Sequence, residues 1–298
     1  MSDVEVSYLA LETSRPRTSG FRRTMRVMFD RKVVLVGAVI VFLFILVSII
    51  GQWITPYDPY EMDLEHIRSQ PSALHWLGTD EIGRDVLSRL ILGARISLIV
   101  GLVGVFISGT VGMVLGLIAG YFGGWTNTII MRFIDALLAL PPLVLILAIA
   151  TLLGGGLKNV LIALGVGMIP AYARLICGQI LITKELDFIT AAKSMGAGHG
   201  RIMINHLLLN VFPPMLVLIT TNVGTTILME ASLSFLGIGV KAPTPTWGNL
   251  VSNGYPYLIS NPWLSIAPGT AILIVVLSLN MLGDGLRDAL DPKLRGVI

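Results

Sequence analysis

Charge is scarce in this chain. Asp, Glu, Lys and Arg make up 13% of its 298 residues, too little to cover a water-soluble domain of that length. Cysteine occurs once, at Cys177, which excludes an internal disulfide and a cysteine-based metal centre. No G-x-x-x-x-G-K-[ST] run is present, so the chain lacks a phosphate loop for ATP. H-E-x-x-H, G-x-S-x-G and a paired-carboxylate cleft are also missing, so the sequence makes no case for an enzyme. The histidines are His66, His75, His199 and His206, two in each of two polar regions. They suggest no metal site.

What the chain has instead is apolar length: 54% hydrophobic residues and a mean hydropathy of +0.81. Residues 33–54, 97–121, 134–153, 160–181, 211–236 and 264–283 each approach or exceed the ~20 residues that cross a bilayer. The expectation is an all-α polytopic membrane protein with six transmembrane helices and both termini on one side. The polar connections on the N-terminal side hold Arg15, Arg17, Arg22, Arg23, Arg26, Arg31, Lys32, Arg132, Arg174, Lys184, Lys193, Arg201, Arg287, Lys293 and Arg295. The other side holds Arg68, Arg84, Arg89, Arg95, Lys158 and Lys241. The excess marks the cytoplasmic side, so both ends are expected there. The pI near 9.1 then reflects membrane-flanking charge and not a nucleic-acid surface.

The expected organisation is a basic cytoplasmic tail over 1–32, a first span over 33–54, an external loop over 55–96, a core over 97–283 and a cytoplasmic tail over 284–298. Within the external loop, Ile82, Val86, Leu90 and Ile91 recur at helical spacing opposite Glu81, Arg84, Asp85 and Ser88. That pattern predicts a short interfacial helix capped by Thr79 or Asp80. Pro141-Pro142 should bend or open the third span. Asp135 and Asp284 are expected at membrane ends, beside Arg132 and Arg287. Trp247, Tyr255, Tyr257 and Trp263 suit interfacial anchoring.

Three constellations stand out. Gly104, Ser108, Gly112, Gly116 and Gly120 lie four apart in the second span, a groove of small residues that admits another helix closely, for static packing or for sliding. Asn222, Thr226 and Glu230 share one face of the fifth span. A carboxylate there must face protein or water, so these are translocation-path candidates or buried packing residues. The stretch "TAAKSMGAGHGRIMINHLLLN" from Thr190 to Asn210 reads as two short amphipathic helices, with Phe188, Ala191, Ala192 and Met195 in one stripe and Ile202, Met203, His206 and Leu207 in the other. Gly196, Gly198 and Gly200 hinge them, since glycine permits a left-handed turn. Such a cytoplasmic knob is either a docking element for a soluble motor or an ordinary loop.

This stretch resembles the coupling motif of ABC importer permeases, E-A-A-x-x-x-G with an I-x-L-P-like end. "WITPYDPY", "HWLGTDEIGRDVLSRLILGARISL", "GLIAGYFGG", "MRFIDALLALPPL", "ASLSFLGIGVKAPTPTWG" and "LNMLGDGLRDALDPKLRG" are similar, in order, to signatures of the C-type subunits of the dipeptide/oligopeptide/nickel permease family. The resemblance implies a type I importer fold, an N-terminal helix plus a five-helix core. It implies a coupling loop about 182–210 that involves Asp187, Thr190, Ala191, Ala192, Gly196 and Gly198. Implied partners are a homologous B-type permease, two cytoplasmic ATPase subunits that bind the ATP, and an external substrate-binding protein. The implied location is the bacterial inner membrane. Implied cargo is a dipeptide or oligopeptide, with nickel or glutathione as the alternative. A self-contained secondary transporter is a rival of another class, but Glu230 alone makes a poor ion relay. Two positions depart from the family: Thr190 stands where Glu is frequent, and Leu209 where Pro precedes Asn. Glu185 or Asp187 would have to replace that Glu.

Overall fold

The computed structural model describes residues 28–29 and 31–290. The basic residues from Arg15 to Arg26, and Lys293 and Arg295, lie outside them. Among the described residues the chain is helical: α1 (Lys32–Ile54), α2 (Val86–Phe122), α3 (Gly124–Leu138), α4 (Pro142–Leu153), α5 (Leu157–Thr183), α6 (Asp187–Ser194), α7 (His199–Phe235), α8 (Trp247–Gly254) and α9 (Trp263–Leu290). Five of these are long and apolar enough to cross a membrane, and the α3–α4 pair, bent by 90°, makes a sixth if it counts as one span.

The packing fixes the direction of each pass. Gly285 meets Val34, and Arg31 pairs with Asp288 at 2.6 Å, so the start of α1 and the end of α9 share one face, called here proximal. Gly51 near the end of α1 meets Ile91 near the start of α2, on the opposite, distal face. Helices α2 and α5 form the most extensive pair and run parallel: Gly112 faces Ile169 and Tyr172, Gly116 faces Ala173 and Ile176, and Gly120 faces Ile180. Parallel neighbours require a return crossing, and α3–α4 supplies it. Its break lies at Pro141, where the chain turns extended before Pro142 opens α4. A twelve-residue α4 reaches only about 18 Å, so the crossing needs both arms.

The groove of small residues is filled from within the chain. A Cβ on Gly116 would lie 2.6 Å from the Ala173 carbonyl, and one on Gly112 2.5 Å from the Tyr172 Cβ. Gly104 faces Thr226 and Leu164, so α7 shares the same seam. Ser108 is buried and returns its hydroxyl to the Gly104 carbonyl at 2.9 Å.

Two expectations about ends are corrected. No separate interfacial helix forms: α2 starts at Val86, capped by Asp85 accepting from the Ser88 amide at 2.7 Å, and continues without a break into the membrane. Its 37 residues span about 55 Å, well beyond the ~30 Å hydrocarbon core. Thr79 and Asp80 lie in the preceding turn, and Arg84, Asp85 and Ser88 are buried and not solvent-facing. The partner of Asp135 is Arg174 of α5 and not Arg132.

Candidate functional site

On the proximal face, α6 ends in a left-handed glycine. Gly196 has φ +80°; its amide reaches the Lys193 carbonyl at 2.9 Å, and the Ala197 amide reaches the Ala192 carbonyl at 3.0 Å. This pair of bonds is the Schellman termination, which a Cβ would strain. Gly198 is extended and Gly200 is helical, so of the three expected hinges only Gly196 needs to be glycine.

The second short helix of the sequence reading is instead the first part of α7. The segment Ile202–Leu208 is wound as a π-helix just upstream of Pro213-Pro214, two consecutive residues that lack N–H donors. Ile189 and Ala192 of α6 are buried, and Ile189 packs with Ile202, Leu207 and Val211 of α7 and Ile176 and Ile180 of α5. Ala192 therefore faces its own chain. The exposed apolar stripe is Phe188, Ala191 and Met195, the last 82% accessible, with Thr190 and Asp187 beside it. The sequence reading grouped Ala191 with Ala192, but adjacent helical residues lie about 100° apart and only tertiary contact selects one face. It also missed Ile189, the apolar residue that anchors α6.

The knob is tied to three long helices. The Tyr121 hydroxyl lies 2.7 Å from His199 Nδ1, joining the end of α2 to the start of α7. Lys184, just after α5, donates to the Gly120 carbonyl at 3.1 Å.

Within α7, Thr226 and Glu230 are enclosed by this chain's own helices, at 0% and 1% exposure. Thr226 donates to the Asn222 carbonyl at 2.7 Å and touches Met168 of α5. Glu230 accepts from Ser234 at 2.6 Å, close to Thr246 before α8, and its second oxygen has no protein partner. Asn222 is partly exposed. Trp247 is not an interfacial anchor: it is 4% exposed, donates to the Leu90 carbonyl at 2.9 Å and packs on Gly93 and Phe44. Tyr255 and Trp263 remain exposed.

The distal face carries a folded platform, residues 55–85. Asp80 accepts from the Ile82 and Arg84 amides and from Arg84 Nε at 2.7 Å, with Arg89 Nε at 3.5 Å. Arg89 donates onward to the Pro59 carbonyl. Burial pushes the Glu81 carboxyl upward, and the Asp80 charge adds to the rise. Asn261 and Gln70 bond the platform to the stretch before α9. The sequence reading placed no metal-ligating group here, yet Asp63, His66 and His75 converge, with their ligand atoms within 4.8 Å of one another. Residues twelve apart in irregular chain give no periodic signal of such a meeting.

Comparison with known proteins places this architecture. Residues 112–296 match the model of the binding-protein-dependent transport system inner membrane component family, and residues 19–71 match the N-terminal TM domain of oligopeptide transport permease C. The chain is 42% identical to the dipeptide transport system permease protein DppC of Alkalihalophilus pseudofirmus, over 93% of this chain and 91% of that protein. It is 43% identical to the glutathione transport system permease protein GsiD of Escherichia coli O6:K15:H31, over 87% and 86%. A permease chain from inward-facing structures of the MetNI methionine ABC transporter superposes with a TM-score of 0.57 at 19% identity, covering 68% of this chain and 97% of that one. The chain belongs to the binding-protein-dependent transport system inner membrane component family, as a multi-pass permease of the ABC importer class.

Proposed function

We propose that this chain is one half of the translocation unit of an ATP-driven importer for dipeptides or oligopeptides, with the proximal face in the cytoplasm. A homologous B-type permease would complete the path, two ATPase subunits would dock on the proximal face, and an external binding protein would deliver cargo to the distal platform. The observation that carries this reading is α6: a short helix with an exposed apolar stripe, ended by Gly196 and anchored to α2, α5 and α7. Force applied to Phe188, Ala191 and Met195 would pass into three membrane helices at once, which is what alternating access requires of a coupling element. Asp187 and Thr190 border that stripe. In this reading the path runs between the two permeases, Asn222 is the candidate nearest an open surface, and Thr226 and Glu230 hold α7 in register. The likeness to glutathione permeases supports a second cargo, a tripeptide-like thiol.

The test is substrate-stimulated ATP hydrolysis by the complete transporter in vesicles. Ala191→Arg should abolish stimulation while the chain still inserts and assembles with its partner permease. Gly196→Val strains a φ of +80° by about 1–3 kcal/mol and should uncouple in the same way. Ala192→Arg would bury a charge inside the chain and should lower its abundance instead. Lys158→Ala on the distal face should behave as wild type. Full stimulation in both Ala191→Arg and Gly196→Val would reduce α6 to a loop. Competition of labelled dipeptide uptake by glutathione decides between the cargoes.

A further inference from the structure

We propose that Asp63, His66 and His75 bind a divalent first-row transition-metal ion, with zinc as the reference ion, on the distal platform. The three come from two turns that the fold presses together. Asp63 opens the 3₁₀ turn Leu64–His66, and its Oδ1 accepts from the Glu65 amide at 3.0 Å, which fixes the carboxylate. Its Oδ2 lies 2.7 Å from His66 Nδ1. His75 comes from the opposing turn, with its ring centroid 6.0 Å from that of His66. The approach depends on Gly83, where a Cβ would fall 1.8 Å from the Asp63 carbonyl oxygen.

The buried member is prepared for a cation. His75 Nδ1 lies 2.9 Å from Asp85 Oδ1, and the other Asp85 oxygen accepts from the Ser88 amide and hydroxyl, both at 2.7 Å. A carboxylate that accepts on both oxygens leaves Nδ1 as the protonated nitrogen and Nε2 as the one free to coordinate. A carboxylate behind an imidazole is the arrangement that holds metal-binding histidines in the right tautomer. Tyr57, with its ring centroid 4.7 Å from that of His75, packs against the same imidazole.

The geometry is near what zinc needs. Bonds of about 2.0–2.2 Å place tetrahedral ligand atoms about 3.4 Å apart; the present ligand atoms lie within 4.8 Å of one another, with Asp63 Oδ2 and His66 Nδ1 the tighter pair at 2.7 Å, so that His66 either opens this contact or turns its other nitrogen to the ion. His66 and Asp63 have side chains 44% and 39% exposed, so the adjustment falls on the two ligands with room to turn, while His75 at 5% is held by its packing. Two imidazoles and one carboxylate select zinc, nickel, cobalt or copper over calcium or magnesium. Three protein ligands leave a coordination position open, beside an open cavity of about 520 Å³ that Asp63 and His75 line together with Asp58, Glu61 and Glu65. Those carboxylates draw cations in. A bound ion would pin the 58–66 segment to the start of α2.

The experiment uses the assembled transporter carrying the full chain, stripped with a chelator and titrated with Zn²⁺ against a chromophoric competitor. The wild type should hold one more zinc per copy of this chain than His66→Ala, which alters an exposed side chain and avoids the folding risk of changing His75. Asp85→Asn keeps a competent helix cap and should weaken binding by about 10–100-fold. Co²⁺ should give visible absorption in the wild type that His66→Ala lacks. Equal zinc content and equal Co²⁺ spectra in the wild type, His66→Ala and Asp63→Ala would overturn the site, leaving two independent histidine–carboxylate pairs.

Discussion

At the scale of single residues, the distal platform is held by charges that have left water. Asp80 and Arg84 are each about 5% exposed, and Asp80 satisfies its oxygens with two amides and the guanidinium of its partner. Removing Arg84 takes the 2.7 Å partner from Asp80 Oδ2 and leaves it Arg89 Nε at 3.5 Å; breaking a buried pair costs up to about 3–5 kcal/mol. Arg84→Ala should therefore unfold the platform locally and expose residues 58–66 to a protease added from the distal side. Arg95→Ala, whose guanidinium bonds the exposed Gln52 amide and no other side chain among the described residues, should leave the protease pattern unchanged. Equal resistance of both variants would mean that the Asp80 amide bonds and Arg89 suffice without Arg84.

At the scale of elements, the α2–α5 seam is the chain's central contact, and it depends on missing side chains. The close approach gains dispersion along two long parallel helices, where lipid offers no hydrophobic drive. Gly116→Leu would push against the Ala173 carbonyl at 2.6 Å, backbone that cannot rotate aside. Overpacking of this kind costs about 1–3 kcal/mol or more. The expected result is a lower detergent-melting temperature and less assembled complex. Gly178→Ala is the matched control on α5, since a Cβ there meets nothing within 4 Å, and it should melt as wild type. Normal melting of Gly116→Leu would require the seam to be looser than the described contacts.

At the scale of the whole molecule, six alternating passes put the start of α1, the end of α9 and α6 on the proximal face, and the platform with α8 on the distal face. Both 37-residue helices overreach the bilayer, α2 toward the distal side and α7 toward the proximal side. They are the natural levers between the platform and the coupling element. In the proposed orientation the proximal face is cytoplasmic, which is the side the charge bias favours. Cysteines introduced singly at the exposed Ser72 and Asn253 should react with an impermeant reagent from outside intact cells, and one at Ser194 should not. The native Cys177 is buried and should stay silent. Labelling at Ser194 from outside would invert the orientation.

The sequence by itself determined the membrane class, the number of crossings, the break at Pro141-Pro142 and the glycine that ends α6. These follow from local quantities: apolar run length, a ring that removes an N–H, a φ that only glycine adopts readily. Periodicity also exposed the small-residue stripe of α2, but not its occupant. Which helix fills Gly112 and Gly116, whether Ala191 or Ala192 faces out, and why Trp247 lies buried on Gly93 were decided by tertiary packing. So was the meeting of Asp63, His66 and His75, and so was the burial of Arg84, Asp85 and Ser88 at the start of α2 against the platform. In each case the deciding contact joins residues distant in the chain or separated by irregular backbone, and a one-dimensional pattern carries no term for it.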